Sequence, residues 1–191
     1  MPTDFSIKPT LTGERVLLRP FTAADADTFQ AILADPEVVR LTGSPRQERF
    51  DLDRLRDWYG SRSAQTDRLD LAVVDRATGD CVGEVVLYEW DRHNDNCTFR
   101  TLVGPAGRDR GLGTEATRLI VGYGFEQLGL HRIGLHVFVF NPRARRVYEK
   151  VGFVVEGVER QVLRDGDGWA DAVMMSILAP EWMRHRGCPE G

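Results

Sequence analysis

Apolar positions along the chain fall into two kinds of block. Some alternate with polar residues or run on continuously, and others recur every three or four positions. Residues 15–21 read as a first strand. A helix starts at Thr22 or Asp25 and carries Phe29, Ile32 and Leu33, with Pro36 just beyond its end. Residues 37–50, with Gly43 and Pro45, read as a loop, and 51–64 as a helix with Leu52, Leu55, Trp58 and Tyr59 on one side. Strands at 69–74, 81–90 and 97–103 are separated by the turn-rich segments 75–80 and 91–96, so they are predicted to be antiparallel neighbours.

The pattern then changes. Residues 105–110 form a loop and 111–128 a helix, with Leu112, Ala116, Leu119, Ile120 and Tyr123 near one stripe. A strand follows at 133–140. Strand, helix, strand in this order is a crossover unit, which predicts that 97–103 and 133–140 run parallel. Asn141 and Pro142 open another helix as cap and first residue, and Gly152 closes it. A hairpin of 153–163 and 169–178, turning at 165–168, completes the chain. The mixed order predicts an α+β (mixed α/β) single domain rather than a doubly wound sheet. Residues 1–10 are expected as a loose lead-in, 11–183 as the domain and 184–191 as a tail.

Composition adds limits. The 191 residues carry 42% hydrophobic and 28% charged side chains, ordinary for a soluble globular protein. A net charge of −4 gives no reason to expect a nucleic-acid partner. No window is apolar for long enough to span a membrane, and no signal peptide is visible at the start, so no membrane partner and a cytoplasmic location are expected. Cys81, Cys97 and Cys188 are odd in number and not at metal-ligand spacing. They read as ordinary thiols, and no metal is expected.

The richest chemistry lies at Arg108-Asp109-Arg110-Gly111-Leu112-Gly113-Thr114, after a strand and at the start of a helix. A helix N-terminus presents unpaired N–H groups and partial positive charge, which suits a phosphate. Glycines let the backbone approach an anion closely, and arginines add charge-assisted contacts. No Gly-Lys-Ser/Thr follows, as a Walker loop would need. Glu115-Ala116 stands where a dinucleotide fingerprint would have its third glycine.

The Arg-x-x-Gly-x-Gly pattern resembles the acetyl-CoA motif of the GNAT N-acetyltransferase superfamily. The stretch from Asn141 through Tyr148 to Gly152-Phe153 is similar to a second motif of that superfamily. The opening Leu-Thr-Gly-Glu-Arg-Val-Leu-Leu-Arg-Pro at 11–20 and Asp-Gly-Trp-Ala-Asp at 167–171 resemble its ribosomal-protein alanine N-acetyltransferase branch. The resemblance implies a central, mostly antiparallel sheet with one splayed parallel strand pair, flanked by helices, and acetyl-CoA as cosubstrate. It implies that the pantetheine arm is gripped by main-chain N–H groups near Leu102 and Val103. The pyrophosphate would lie on the amides of 110–114, which include Arg110, Gly111, Leu112, Gly113 and Thr114. Arg108 and Arg110 would be the nearest charges, and Asn141 would bond the pantetheine while capping its helix. Arg143, Arg145 and Arg146 are either a solvated face or, through Arg145 or Arg146, a reach to the 3′-phosphate. Tyr148 would protonate the departing thiolate, a role suited to a phenol with pKa near ~10. A homodimer is also implied.

One departure concerns the base. Many members place a glutamate on the strand before the phosphate loop, and here Thr98 stands about there. Glu84 on the neighbouring strand is the leading substitute, directly or through water, with Asp171, Glu126, His131 and His136 as further candidates. An α-amine with pKa ~7.7–8.0 needs only about 1 kcal/mol to be neutral at pH 7, against roughly 4.6 kcal/mol for a lysine at ~10.4. A site without a strong base therefore favours an α-amine or another amine of low pKa. The expected acceptor is a protein N-terminal residue or a small-molecule amine, with Trp58, Tyr59, Trp90 and Trp169 as candidate pocket walls. The alternative is a catalytically weak acyl-CoA-binding sensor of the same fold.

Overall fold

The computed structural model describes residues 5–43 and 50–186. Pro45, part of the expected 37–50 loop, and Cys188 lie outside them. Among the described residues, eight strands form one sheet: β1 (Leu11–Thr12), β2 (Val16–Pro20), β3 (Leu69–Asp75), β4 (Cys81–Asp91), β5 (Asn96–Val103), β6 (Arg132–Phe138), β7 (Val154–Asp165) and β8 (Gly168–Leu178). Their order across the sheet is β1-β2-β3-β4-β5-β6-β8-β7. Every residue of β3 is buried, because helices cover both faces there, and this explains its nearly unbroken apolar run.

The predicted parallel pair is present but short. β5 and β6 match only at Asn96↔Arg132, Cys97↔Ile133 and Thr98↔Gly134. Beyond that point β5 stays on β4 as far as the Gly83↔Val103 pair, while β6 stays on β8 as far as Phe138↔Ala172. Residues 99–103 and 135–138 therefore face each other across an open seam.

Among the described residues, six α-helices flank the sheet: α1 (Ala26–Ala34), α2 (Pro36–Thr42), α3 (Leu52–Ser61), α4 (Leu112–Glu126), α5 (Pro142–Val151) and α6 (Ala179–His185). α4 and α5 cover one face, over Leu71, Leu87, Phe99, Ile133 and Met175. α1 and α3 cover part of the other, where the Phe21, Phe29 and Tyr59 rings pack in tilted and edge-on pairs with centroids 4.6 to 5.3 Å apart. No helix among the described residues is long and apolar enough to cross a membrane.

Three expectations need correction. Residues 37–43, read as loop, belong to α2. Asp35 caps this helix by accepting from Val38 N at 2.9 Å, and Pro36 takes the first turn, so the proline that ends α1 also starts α2. The C-terminal α6 was not predicted. Pro180 lies in its first turn, the Glu181 carboxylate accepts from Leu178 N at 2.9 Å, and Trp182 lies buried against Gly122, where a Cβ would come within 2.8 Å of the indole. The lead-in is also not loose from residue 5 onward. Phe5 is buried against Trp90 with ring centroids 5.0 Å apart, and the Lys8 ammonium donates to the carbonyls of Phe5, Gln65 and Arg68 at 2.6 to 2.7 Å.

Candidate active site

The open seam leads into a cleft of about 730 Å³ that runs from the start of α4, between β5 and α5, to the α2 side of the sheet. Its floor is the unpaired half of β5, including Leu102 and Val103. Strand edges without a partner carry backbone groups that an extended ligand can pair with.

At one end lies the α4 N-terminus. Gly111 caps it at φ +78°, in the left-handed region that a side chain rarely adopts, and Asp109 adds a second left-handed residue at φ +58°. The first-turn amides of Leu112, Gly113 and Thr114 have no partner four residues back within the helix, which leaves donors for an anion. Gly111, Gly113 and Thr114 line the cleft, while the Leu112 side chain anchors the helix in the core. The helix is held at this end by Glu115, whose carboxylate accepts from the amides of Glu14 and Arg15.

The expected phosphate arginines are placed differently. Arg110 turns out of the cleft and pairs with the buried Asp75 at 2.6 Å. Arg108 lines the cleft, but it is committed: it donates to the Val103 carbonyl at 3.2 Å and pairs with Asp35 and Glu37. Glu37 also takes Arg143 at 3.0 Å. The unpredicted α2 is thus a wall of the site, adding Val38, Leu41 and Thr42 to the lining. Arg145 also lies outside the cleft and pairs with Glu149 at 2.8 Å. Helical spacing puts Arg143, Arg146, Val147 and Lys150 on the cleft side of α5 instead.

Asn141 caps α5 through Oδ1, which accepts from Ala144 N at 3.1 Å, and it also borders the cleft. Its amide NH₂ has no partner among the described residues, so one side chain can serve helix and ligand through different atoms. Asn141→Ala is expected to lower stability by about 1 kcal/mol through the lost cap, a fall of a few degrees in Tm by calorimetry.

Tyr148 and Glu84 both reach this cleft. Tyr148 is buried edge-on to Phe99, with centroids 6.0 Å apart, and beside Phe153 at 5.9 Å. Burial raises its pKa, which keeps the phenol protonated, and its hydroxyl has no hydrogen-bond partner among the described residues. Glu84 is 5% exposed on β4 and paired with Arg100 Nη2 at 3.0 Å. Burial raises its pKa, and the Arg100 charge works against that rise.

The other base candidates separate clearly. His136 lines the cleft and pairs with Glu159 at 3.0 Å. Asp171 accepts from Gln161 N at 2.7 Å, Glu126 from the Trp182 indole at 2.9 Å, and neither of them nor His131 lines the cleft. Thr98 donates to Glu89 on β4 at 2.8 Å. Trp58, Tyr59, Trp90 and Trp169 are also absent from the lining, which draws on Tyr88 and Phe138 instead. Trp58 lies under Arg62 and Trp169 near Arg164, with 3.8 and 5.6 Å from guanidinium carbon to ring centre, while Tyr59 is core. Burial pushes the Cys97 thiol up to about 12 and that of Cys81 to about 11, which leaves both as poor nucleophiles.

The fold thus builds a split sheet opening onto a helix N-terminus, with Tyr148 and Glu84 lining the same cleft. Comparison with known proteins places it further. The Acetyltransferase (GNAT) domain model matches residues 15–154, and the chain belongs to that family. It is an acyltransferase enzyme of the N-acetyltransferase kind. It is 30% identical to the Bacillus subtilis protein YjcK, named a probable N-acetyltransferase, over 90% of this chain and 98% of that one. It is 28% identical to spermidine N(1)-acetyltransferase of Escherichia coli K12 over 99% and 95% of the two chains. A spermidine N-acetyltransferase from Vibrio cholerae, solved with CoA and spermine, superposes with a TM-score of 0.80 over 90% of this chain and 99% of that one. At 23% identity, that likeness is one of fold.

Proposed function

We propose that this chain transfers an acetyl group from acetyl-CoA to a primary amine by direct attack on the thioester. The observation that carries this reading is the seam itself. An unpaired strand edge, a bare helix N-terminus, the Tyr148 hydroxyl and the Glu84 carboxyl all border one cleft. The pantetheine lies along β5 beside Leu102 and Val103, and the pyrophosphate sits on the amides that open α4. Arg146, in place of Arg145, is the α5 arginine that approaches the 3′-phosphate. Glu84 takes a proton from the amine, the β5 backbone donates to the thioester oxygen as charge develops, and Tyr148 protonates the leaving sulfur. The relatives named as spermidine N-acetyltransferases support an amine acceptor. The free thiols of the described residues, Cys97 buried and Cys81 partly so, suit a reducing compartment, in keeping with a cytoplasmic location.

Thiol release from acetyl-CoA across an amine panel is the direct test. Tight coenzyme A binding without turnover of any amine would point instead to the sensor reading. Glu84 gives a sharper check. Its raised pKa predicts that the rate falls on the acid side at a pH above the ordinary carboxylate range of ~4.3. Glu84→Gln should lose that acid limb and slow turnover by about 100-fold, the low end for general-base loss. The stability sign is opposite: an acid with a raised folded pKa contributes fully below its unfolded pKa, and that contribution fades as pH climbs towards the folded value. Glu84→Gln should therefore gain in Tm relative to the parent as pH rises through that window. An unchanged acid limb would remove Glu84 from the mechanism.

A further inference from the structure

The charged groups around Glu84 form an unusual set. On this face of the sheet Glu84 has Asp70, Arg62, Arg68 and Arg100 as its charged neighbours. Two of the three arginines are engaged elsewhere. Arg68 holds Asp70 through two bonds of 2.7 Å, and Arg62 stacks on Trp58 while donating to its carbonyl at 3.0 Å. Arg100 is different. Its single polar partner among the described residues is Glu84 Oε1 at 3.0 Å, its side chain is 45% exposed, and it lines the cleft. A guanidinium has five N–H donors in a planar fork, so most of its capacity is left unused by its partner among the described residues.

We propose that Arg100 is the specificity residue for the acceptor, and that the acceptor is a small zwitterionic amine of the α-amino acid type, its carboxylate on Arg100 and its amine at Glu84. This rests on the acetyltransferase reading above and adds the substrate class. The Glu84–Arg100 pair presents one negative and one positive group side by side, and an α-amino acid presents the reverse pair at similar spacing. Arg is suited to bidentate carboxylate recognition. A polyamine fits this corner poorly. It is cationic at every nitrogen, and the surrounding side chains bring three positive groups against two carboxylates. Once the amine has passed one proton to Glu84, its nitrogen lone pair forms the N–C bond to the acetyl carbon. The C–S bond then breaks, and the sulfur leaves with the bonding pair and takes a proton from Tyr148. The second amine proton passes through water to Tyr148 and restores the phenol, Glu84 returns its proton to solvent, and the products are an N-acetyl amino acid and free thiol.

The test compares kcat/KM for a panel of α-amino acids, each against its own α-carboxamide, with spermidine alongside and acetyl-CoA as donor. The carboxylate form should be preferred over the amide by about 10- to 100-fold, the range for a charge-assisted contact. Arg100→Gln should bring that ratio close to one, and Arg100→Lys should keep part of it. If Arg100 acts only by holding Glu84 in place, both substrates slow together and the ratio stays as in the parent, which overturns the proposal. A preference for spermidine, for the amides or for peptides alone also overturns it while leaving the acetyltransferase reading intact. Failure of every amine sinks both.

Discussion

Gly111→Asp should abolish measurable acetyl-CoA binding in titration calorimetry, a loss of more than about 100-fold, while the protein still folds. Gly111 is the N-cap of α4, borders the cleft, and holds φ at +78°. A Cβ built there would meet the Arg15 guanidinium at 2.8 Å, the mobile end of a flexible side chain, so folding is perturbed rather than prevented. The left-handed backbone costs a non-glycine residue about 1 kcal/mol. Binding suffers more, because a carboxylate placed over the free amides of α4 competes with the pyrophosphate for the same donors and repels it. Gly111→Ala is the control. It carries the backbone strain without the charge, and should lose a few degrees of Tm and much less affinity. Equal affinity of Gly111→Asp and the parent would remove the α4 N-terminus from the donor site.

Tyr148→Phe should lower kcat by about 100-fold and leave the Kd for coenzyme A within about threefold. Removing a positioned general acid costs on the order of 100-fold or more. The ring sits against Phe99 and Phe153, and phenylalanine keeps those contacts. The lost hydroxyl has no hydrogen-bond partner to orphan among the described residues, so Tm should hold. Because burial raises the Tyr148 pKa, the phenol stays protonated through neutral pH and adds no alkaline limb of its own there. A kcat equal to that of the parent would reduce Tyr148 to a packing residue between α5 and β5.

Much of this geometry was legible in the chain because it is local. The glycines before α4, the Asn141-Pro142 cap and the alternating strands each determine their own conformation within a few residues. The parallel β5–β6 pair followed from the crossover rule. α2 and α6 were missed although their signals are of the same kind as the one used for α5: Asp35-Pro36-Glu37, and a proline followed by Glu181. Reading Pro36 only as a stop hid the start it also makes. Side-chain direction was the harder part. Arg108, Arg110 and Arg145 carry the charge a phosphate wants, yet Asp35, Glu37, Asp75 and Glu149 take them up. Three of those carboxylates lie more than thirty positions away in sequence, and no local pattern reveals such partners. The role of Arg100 is of this type as well, since it depends on Glu84 from the next strand and on Arg62 and Arg68 having other occupations.

The short seam between β5 and β6 has a mechanical consequence. With backbone bonds across it ending at Thr98 and Gly134, the sheet consists of two leaves sewn at one corner. Tyr148 and Asn141 belong to the leaf that α5 follows, and Glu84 and Arg100 to the other. α4 and α5, packed over the join, help to hold these side chains at their separation. An extended donor threaded along β5 supplies the missing stitches. On the proposed reading it would tighten the leaves together and set the spacing between Tyr148 and Glu84, so donor occupancy itself would be part of how the acceptor corner is tensioned.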